Sequence, residues 1–159
     1  MSRSRVFLVM GACALAAMLA SPAFAQSDEA VAKQVIALAK AEWEAFNKKN
    51  VAEAAKSWAD EYTQFSPGFS TRMEGKNLLV RMEEANATGS GSGIFSDMAN
   101  PKVQVYGDVA ILSYNYMGIN KDKDGNTENN RAKSTRVYVK KGGRWLLVHA
   151  NFGADPLPE

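Results

Sequence analysis

The chain has 159 residues, of which 19 are Lys or Arg, 17 are Asp or Glu and one is His, so its formal net charge is +2. This length suits one ordinary domain, and the near balance of charges leaves no basic excess to attract nucleic acid or an anionic membrane surface. A single histidine and a single cysteine, Cys13, predict no zinc or iron site, no cofactor held by such ligands and no disulfide.

Residues 1–25 have the pattern of a secretory signal peptide. Two arginines precede an apolar run, residues 6–20, and the letters AFA stand directly before Gln26. The run is shorter than the roughly 20 residues that span a bilayer, so a retained membrane anchor is the weaker alternative. Cleavage after Ala25 removes the cysteine and two arginines. It leaves a neutral mature domain, residues 26–159, which we expect in the periplasm or outside the cell.

Three helices are predicted in the first part of the mature domain. The first covers residues 27–47, because apolar residues recur at steps of three and four and Ser27 can cap its start. The second covers residues 51–62. Its apolar side consists of Ala54, Ala55, Trp58 and Tyr62. The turn FSPGFS precedes a third helix, at about residues 75–86, and the letters ATGSGSG then predict a flexible loop without the spacing of a dinucleotide-binding fingerprint.

The periodicity changes after this loop to the alternation that is typical of strands. Four strands are predicted, over residues 102–106, 109–118, about 131–140 and 144–152. Short turns and the longer loop NKDKDGNTENN join them, and Gly142-Gly143 closes the last hairpin. Helices laid on one face of a curved antiparallel sheet predict an α+β fold, in one domain and without internal repeats.

The last hairpin, STRVYVKKGGRWLLVHANFG, predicts a regular register in which Arg136 lies opposite His149. Because side chains alternate along a strand, the two faces differ. The apolar face carries Val137, Val139, Leu146 and Val148. The mixed face carries Ser134, Arg136, Tyr138, Trp145, Leu147, His149 and Asn151. This face combines a guanidinium, an imidazole and aromatic rings, a composition that is unusual for a surface exposed to solvent. The mixed face is therefore predicted to line a cavity or to contact another subunit.

Several roles remain open for these residues. His149 could serve in a pocket, hold a structural hydrogen bond or contact another copy, and Arg136 could form an ion pair with a carboxylate of a neighbouring strand or subunit. The aromatic residues are more often core than ligand-binding, although their polar atoms need partners when buried. The predicted ligand-binding residues are Trp43, Trp58, Tyr62, Tyr114, Tyr116, Arg136, His149 and Asn151.

The arrangement helix, helix, SPG, helix, followed by NPKVQVYGDVAILSYNY and the last hairpin, resembles the nuclear transport factor 2-like superfamily (SnoaL-like, cystatin-like cone). Within it, the chain is most similar to the association domain of calcium/calmodulin-dependent protein kinase II and its stand-alone bacterial relatives. The segments that carry this similarity are Glu74-Gly75, NPKVQVYGD, Thr135-Arg136-Val137, and GRW followed by Val148-His149. The resemblance implies a cone with a pocket between sheet and helices, and frequent dimers or larger rings built through the sheet.

Two departures from the relatives bear on function. The resemblance implies a pocket with several arginines, but only Arg136 fits that pattern, and Met117 and Phe152 fall where other basic residues would sit. Ketosteroid isomerase-like members hold a general-base aspartate just before the proline that follows the second helix, where this chain has Ser66-Pro67. A hydroxyl cannot take the place of that base.

These observations predict a secreted domain that binds a small organic ligand, with an anion as one possibility, and forms a homodimer or larger homo-oligomer. A dimer is expected because Trp145 and Leu147 would otherwise be exposed on the sheet face that the helices leave open. The alternative for Trp145 is packing against the C-terminal residues of its own chain. Two other functions stay open. One is an isomerase, cyclase or hydrolase that uses His149 or a pocket carboxylate as acid or base, and the other is a purely structural oligomerisation module.

Overall fold

The computed structural model describes residues 26–89 and 92–155, so the predicted signal peptide lies outside the described residues. Its helices are α1 (Asp28–Asn47), α2 (Val51–Ala54) and α3 (Lys76–Gly89), with one 3-10 turn at Ala55–Ser57. Its strands are β1 (Trp58–Phe65), β2 (Met73–Glu74), β3 (Ser92–Tyr106), β4 (Val109–Lys121), β5 (Thr127–Lys141) and β6 (Arg144–Ala154).

The strands form one curved, unclosed sheet in the order β2-β1-β6-β5-β4-β3. Strand β1 runs parallel to β6, and every other neighbouring pair is antiparallel. The helices cover one face of this sheet, where side chains of α1 and of the four long strands share a single buried cluster. The predicted α+β cone fold is therefore confirmed.

Helix α1 follows from local chemistry. The hydroxyl of Ser27 accepts a hydrogen bond from the backbone N–H of Ala30 at 3.3 Å, and Asp28 and Glu29 lie in the first turn, where the helix dipole favours negative charge. Val31, Val35 and Ala39 recur at four-residue steps and are fully or almost fully buried. The predicted boundaries of this helix are confirmed.

The second predicted helix is wrong over most of its length. The helical part of residues 51–62 ends at Ser57, and Trp58 begins a strand that pairs with β6. Residues four apart, such as Trp58 and Tyr62, share one face in a helix and also in a strand, so their spacing could not distinguish the two. Pairing with a strand more than 80 residues away decided the conformation.

Strand β3 begins at Ser92, ten residues before its predicted start, and α3 extends to Gly89. Most of the predicted flexible loop is therefore helix or strand. The first part of β3 is held by pairing with the extended end of β4, from Ser92 opposite Lys121 to Ala99 opposite Asn115. Glycine, aspartate and alanine, which occur at residues 93, 97 and 99, are depleted in strands, so this pairing overrides the local preference at those positions.

The predicted register of the last hairpin is correct near the turn and wrong beyond it. Lys141 pairs with Arg144 and Val139 with Leu146, as expected, but Val148 is an extra residue in β6. This β-bulge shifts the pairing, so that Val137 lies opposite His149 and Arg136 lies opposite Ala150. Arg136 and His149 consequently point to opposite faces of the sheet.

The helices cover the mixed face of the hairpin, because Arg136, Tyr138, Trp145 and Leu147 are all at least 95% buried. The expectation that Trp145 and Leu147 would be exposed on an open face is therefore wrong.

We call the opposite side of the sheet the outer face. It carries a patch of apolar side chains that stay half-buried in the single chain, the outer patch. The outer patch consists of Val109, Ile111, Val137, Val139 and Leu146.

The hairpin turn supports a stability prediction. Gly143 has φ 77°, and a Cβ atom at this position would meet no other atom within 4 Å, so substitution there is opposed by the backbone conformation alone. We expect Gly143→Ala to lower the free energy of unfolding by about 1–2 kcal/mol in urea denaturation. Gly68→Ala is the control, because Gly68 has an equally open surrounding without the positive φ. An equal loss in both variants would contradict the explanation.

Candidate functional site

A cavity of about 310 Å³ lies between α1 and the inner face of β4, β5 and β6. We call it the inner cavity. The sequence-predicted residues that line it are Trp43, Trp58, Tyr114, Tyr116 and Arg136. Tyr62 is completely buried behind this lining, where its ring packs 4.9 Å from that of Trp58 and its hydroxyl donates to the Oε1 of Gln64 at 2.8 Å. The structure thus brings five of the eight predicted ligand-binding residues to one cavity.

A second cavity of about 470 Å³, the mouth cavity, adjoins the first near the C-terminal end of α1. The two cavities share part of their lining, which we call the junction. The junction consists of Trp43, Phe46, Glu83, Tyr116 and Asn130. Three aromatic rings, one carboxyl group and one amide therefore lie where the two spaces meet.

Arg136 and Glu42 form an ion pair at the base of the inner cavity. The Nη1 of Arg136 donates to the Oε1 of Glu42 at 2.9 Å, and both side chains are at most 4% exposed. The Nε of Arg136 donates to the hydroxyl of Tyr114 at 2.8 Å, and the indole Nε1 of Trp58 donates to the Oε2 of Glu42 at 2.9 Å. Both carboxylate oxygens of Glu42 and two of the three guanidinium nitrogens of Arg136 thereby have hydrogen-bond partners within the protein.

This pair changes what Arg136 can offer a ligand. Burial is the largest single influence and lowers the pKa of Arg136, but the carboxylate of Glu42 acts together with the hydroxyl groups of Tyr138, Tyr114 and Tyr62 and holds that pKa above its ordinary value. The charge of Arg136 is compensated by Glu42, so the base of the cavity presents no net positive charge to an anion. The predicted structural ion pair does exist, although its carboxylate comes from a helix instead of a strand or subunit.

Aromatic rings form the walls above this pair. Trp43 packs against Tyr114 with centroids 5.5 Å apart and against Tyr116 at 5.2 Å, with planes inclined by 59° and 68°. Phe152 also packs against the guanidinium, with its ring centroid 5.3 Å from the Cζ of Arg136. The resemblance implies a basic residue at position 152. Phe152 instead contributes a ring to a cation–π contact with Arg136.

Gly118 permits the position of the Tyr116 ring. A Cβ at residue 118 would lie 2.5 Å from the hydroxyl oxygen of Tyr116, because both residues are on one face of β4. The ring can fold over the bare backbone, and its hydroxyl lies 2.9 Å from the Oγ of Ser96 on β3. The aromatic wall therefore depends on a residue without a side chain.

Glu83 is a carboxyl group that lines both cavities from helix α3. Burial raises its pKa and the negative charge of Glu42 adds to that effect, while a hydrogen bond with Asn86 opposes it. Glu83 is not recognisable as a site residue from the sequence, because an isolated glutamate on a helix usually faces solvent. Glu42 was missed too, although its place in the stripe Val35, Ala39, Glu42 was a signal that a charge would be buried.

His149 and Asn151 lie away from both cavities. The β-bulge places His149 on the outer face, where its Nδ1 lies 2.8 Å from the Oγ1 of Thr63 and its ring meets that of Phe65 at 81°. Asn151 is exposed and lines a shallow hollow beside Thr135 on the same face. The expectation that both residues lie beside Arg136 in one cavity is wrong, and His149 cannot act as acid or base on a molecule held in the inner cavity.

The position of His149 predicts a pH dependence of stability. Partial burial lowers its pKa, and the positive charge of Arg72 lowers it further. The unfolded chain has the ordinary pKa of about 6.5, so below that value the unfolded state binds more protons and acidification favours unfolding. We expect the free energy of unfolding of the wild type to fall between about pH 7 and pH 5 more steeply than that of His149→Gln. Parallel urea-denaturation profiles would contradict this expectation.

Ser66 and Pro67 line the inner cavity. In the resemblance to ketosteroid isomerases, Ser66 stands where those proteins have their general-base aspartate. The position therefore lines the cavity in this chain, but it carries a hydroxyl group instead of a carboxylate. The two residues follow strand β1 and not a second helix.

Among the described residues, no group of three or more His, Cys, Asp or Glu could hold a metal ion. None of the described helices is long and apolar enough to cross a membrane.

The chain is similar to known proteins both in sequence and in fold. The family model described as the calcium/calmodulin-dependent protein kinase II association domain matches residues 31–156. Calcium/calmodulin-dependent protein kinase type II of Caenorhabditis briggsae is 33% identical over 64 residues, which are 40% of this chain and 12% of the kinase. The match therefore spans only a small part of the length of that relative.

Three solved structures illustrate the similarity of fold. The association domain of the C. elegans kinase has a TM-score of 0.68 and 22% identity, with 80% of this chain and 98% of that chain covered. The hub homology domain of Chlamydomonas reinhardtii has a TM-score of 0.68 and 24% identity, with 79% and 99% covered. An NTF2-like protein of unknown function from Pseudomonas putida has a TM-score of 0.70 and 18% identity, with 82% and 90% covered.

Proposed function

Because the chain belongs to the calcium/calmodulin-dependent protein kinase II association domain family, we propose that it is a self-associating domain that holds a small organic molecule in its inner cavity. The matching family and one of the similar solved structures are both described as association domains, a name that refers to self-association. The structural observation that carries self-association is the outer patch. The cavity between helices and sheet supports the second part of the proposal.

The outer patch has the composition of a contact surface. Val109, Val139 and Leu146 lie side by side across three strands, and Ile111 and Val137 form the adjoining row. Polar residues border the patch on the next row, where Ser113, Thr135 and Asn151 are aligned. An apolar centre with a polar rim is typical of association surfaces, and a symmetric dimer is the simplest arrangement that covers it.

Ligand binding is supported by the lining of the inner cavity. A space of about 310 Å³ is within the size range of small-molecule sites, and its walls are mostly aromatic with a few polar groups. Trp43 and Trp58 both line this space, so their fluorescence would report its occupation. The buried pair of Glu42 and Arg136 gives the base of the cavity a fixed geometry.

Secretion is the third part of the proposal and rests on the signal-peptide pattern of residues 1–25. The protein would act in the periplasm or outside the cell after cleavage before Gln26. The intact mass of the protein, recovered from its native host, tests this point. A chain that still begins at Met1, or that carries a lipid on Cys13, would contradict it.

Light scattering of residues 26–159 at micromolar concentration tests self-association directly. We expect a mass of at least two chains. A mass of one chain over the whole accessible concentration range would refute the association proposal. Tryptophan fluorescence during titration with small cationic, neutral and anionic molecules of one shape tests cavity binding separately, because any of the three that binds would support it.

A further inference from the structure

We propose that the junction is a binding site for an organic ammonium ion. This inference rests on the proposed binding of a small molecule in the cavity and names its chemical class. It differs from the sequence-based expectation, which considered an anion held by Arg136. Three features of the molecule support an ammonium ion: the rings at the junction, the carboxyl group of Glu83, and the carboxylates that already face the two nearby arginines.

The rings provide surfaces that attract a cation. The planes of Trp43 and Tyr116 are inclined by 68° with centroids 5.2 Å apart, so the two rings form a corner instead of a flat stack. Phe46 completes the aromatic part of the junction. Ring faces carry partial negative charge, and alkylammonium groups are commonly held within such corners. The protein already places one cation by this wall, since the Cζ of Arg136 lies 5.9 Å from the Trp43 centroid.

Glu83 adds a formal negative charge at the same place. The negative charge of Glu42 acts on Glu83, and Glu83 also forms a hydrogen bond with the uncharged side chain of Asn86. A cation at the junction would compensate the charge of Glu83. Partial burial strengthens this attraction, because charges interact more strongly where water is excluded.

The two arginines of the inner cavity each already face a carboxylate. The mouth cavity is lined by two lysines and by three carboxylates, Glu83 among them, so its lining is not net basic. Arg136 is paired with Glu42, and the Nη2 of Arg131 lies 3.3 Å from the Oδ2 of Asp155. An anion entering the inner cavity would have to compete with these internal partners and approach Glu83. A cation meets ring faces and a carboxylate, so both the charge and the shape of the junction favour it.

Three molecules of nearly the same shape separate these possibilities. Choline is the cation, 3,3-dimethyl-1-butanol is its neutral analogue and 3,3-dimethylbutanoate is the anion. We expect choline to bind roughly tenfold or more tightly than the alcohol, as a desolvated cation–π site with a carboxylate requires, and the anion to bind most weakly. Isothermal titration calorimetry, together with the fluorescence of Trp43 and Trp58, measures the three affinities.

Variants locate the effect. Glu83→Gln should weaken choline binding about tenfold and leave the affinity for the neutral alcohol unchanged. Tyr116→Leu should weaken choline binding while retaining an apolar wall. Glu84→Gln is the matched control, because Glu84 is the adjacent glutamate on α3, is exposed and lines neither cavity. Its choline affinity should equal that of the wild type.

Each outcome decides a different claim. Equal affinities of the three molecules, or tightest binding of the anion, would overturn the ammonium site and leave the proposed cavity binding intact. Binding of none of the three would overturn the ammonium site, while light scattering would still decide self-association independently. An equal loss of choline affinity in Glu83→Gln and Glu84→Gln would also overturn it, because a general change of surface charge would then explain the result.

Discussion

Replacing Glu42 with glutamine should lower the free energy of unfolding by about 3–5 kcal/mol, because the change leaves the guanidinium of Arg136 charged and without its counterion in the protein interior. Arg136 is 2% exposed and its Nη1 lies 2.9 Å from the Oε1 of Glu42. Trp58 would also lose the charged acceptor of its indole N–H. Urea denaturation followed by circular dichroism measures the loss.

Asp97→Asn is the matched control for this prediction. Its ion pair with Lys40 has nearly the same length, 3.0 Å, but the two side chains are 43% and 53% exposed. Exposed pairs contribute roughly 0–1 kcal/mol, so we expect a correspondingly small change. A loss in Glu42→Gln that is no larger than the loss in Asp97→Asn would contradict the view that the buried pair holds the base of the cavity.

The double variant Glu42→Leu/Arg136→Met should be more stable than Glu42→Gln, since it removes both charges and leaves no uncompensated ion. This comparison also shows why Arg136→Met alone is a poor test of anion binding. The single change leaves Glu42 buried without its partner, so any loss of ligand affinity would be mixed with a loss of structure. Glu83 is the better residue at which to test the charge preference of the cavity.

Val139→Glu should convert the proposed oligomer to monomers. Val139 lies at the centre of the outer patch, between Val109 on β4 and Leu146 on β6. A carboxylate there would be buried without a partner at a subunit contact, at a cost of several kcal/mol, which raises the dissociation constant more than about a hundredfold. Light scattering or analytical ultracentrifugation over a range of concentrations measures the change.

Gln34→Glu is the control, because it adds the same charge at an exposed position of α1, on the helical side of the sheet. We expect its mass in solution to equal that of the wild type. Far-ultraviolet circular dichroism of Val139→Glu establishes that the monomer is folded. A folded Val139→Glu protein that retains the wild-type mass would place the contact outside the outer patch.

The elements that the sequence predicted well depend on neighbouring residues. Helix α1 has its cap, its charged first turn and its apolar stripe within a single segment, and each of these acts over a few residues. The tight turn at Gly142-Gly143 is equally local, since both residues have positive φ and glycine adopts that conformation without steric cost. The family was also recognisable, because the C-terminal hairpin motifs are readable in order along the chain.

The family, the cone fold, helix α1 and five of the residues that line the inner cavity could thus be predicted from the order of residues alone. The tertiary structure alone decided that Trp58 begins a strand, that Val148 forms a bulge, and that His149 faces away from Arg136. It also decided the partner of Arg136, since Glu42 is 94 residues away. The physical reason is one of range: helix periodicity and turn conformation arise from contacts a few residues apart, whereas strand pairing, bulges and buried ion pairs depend on segments that meet only when the chain folds.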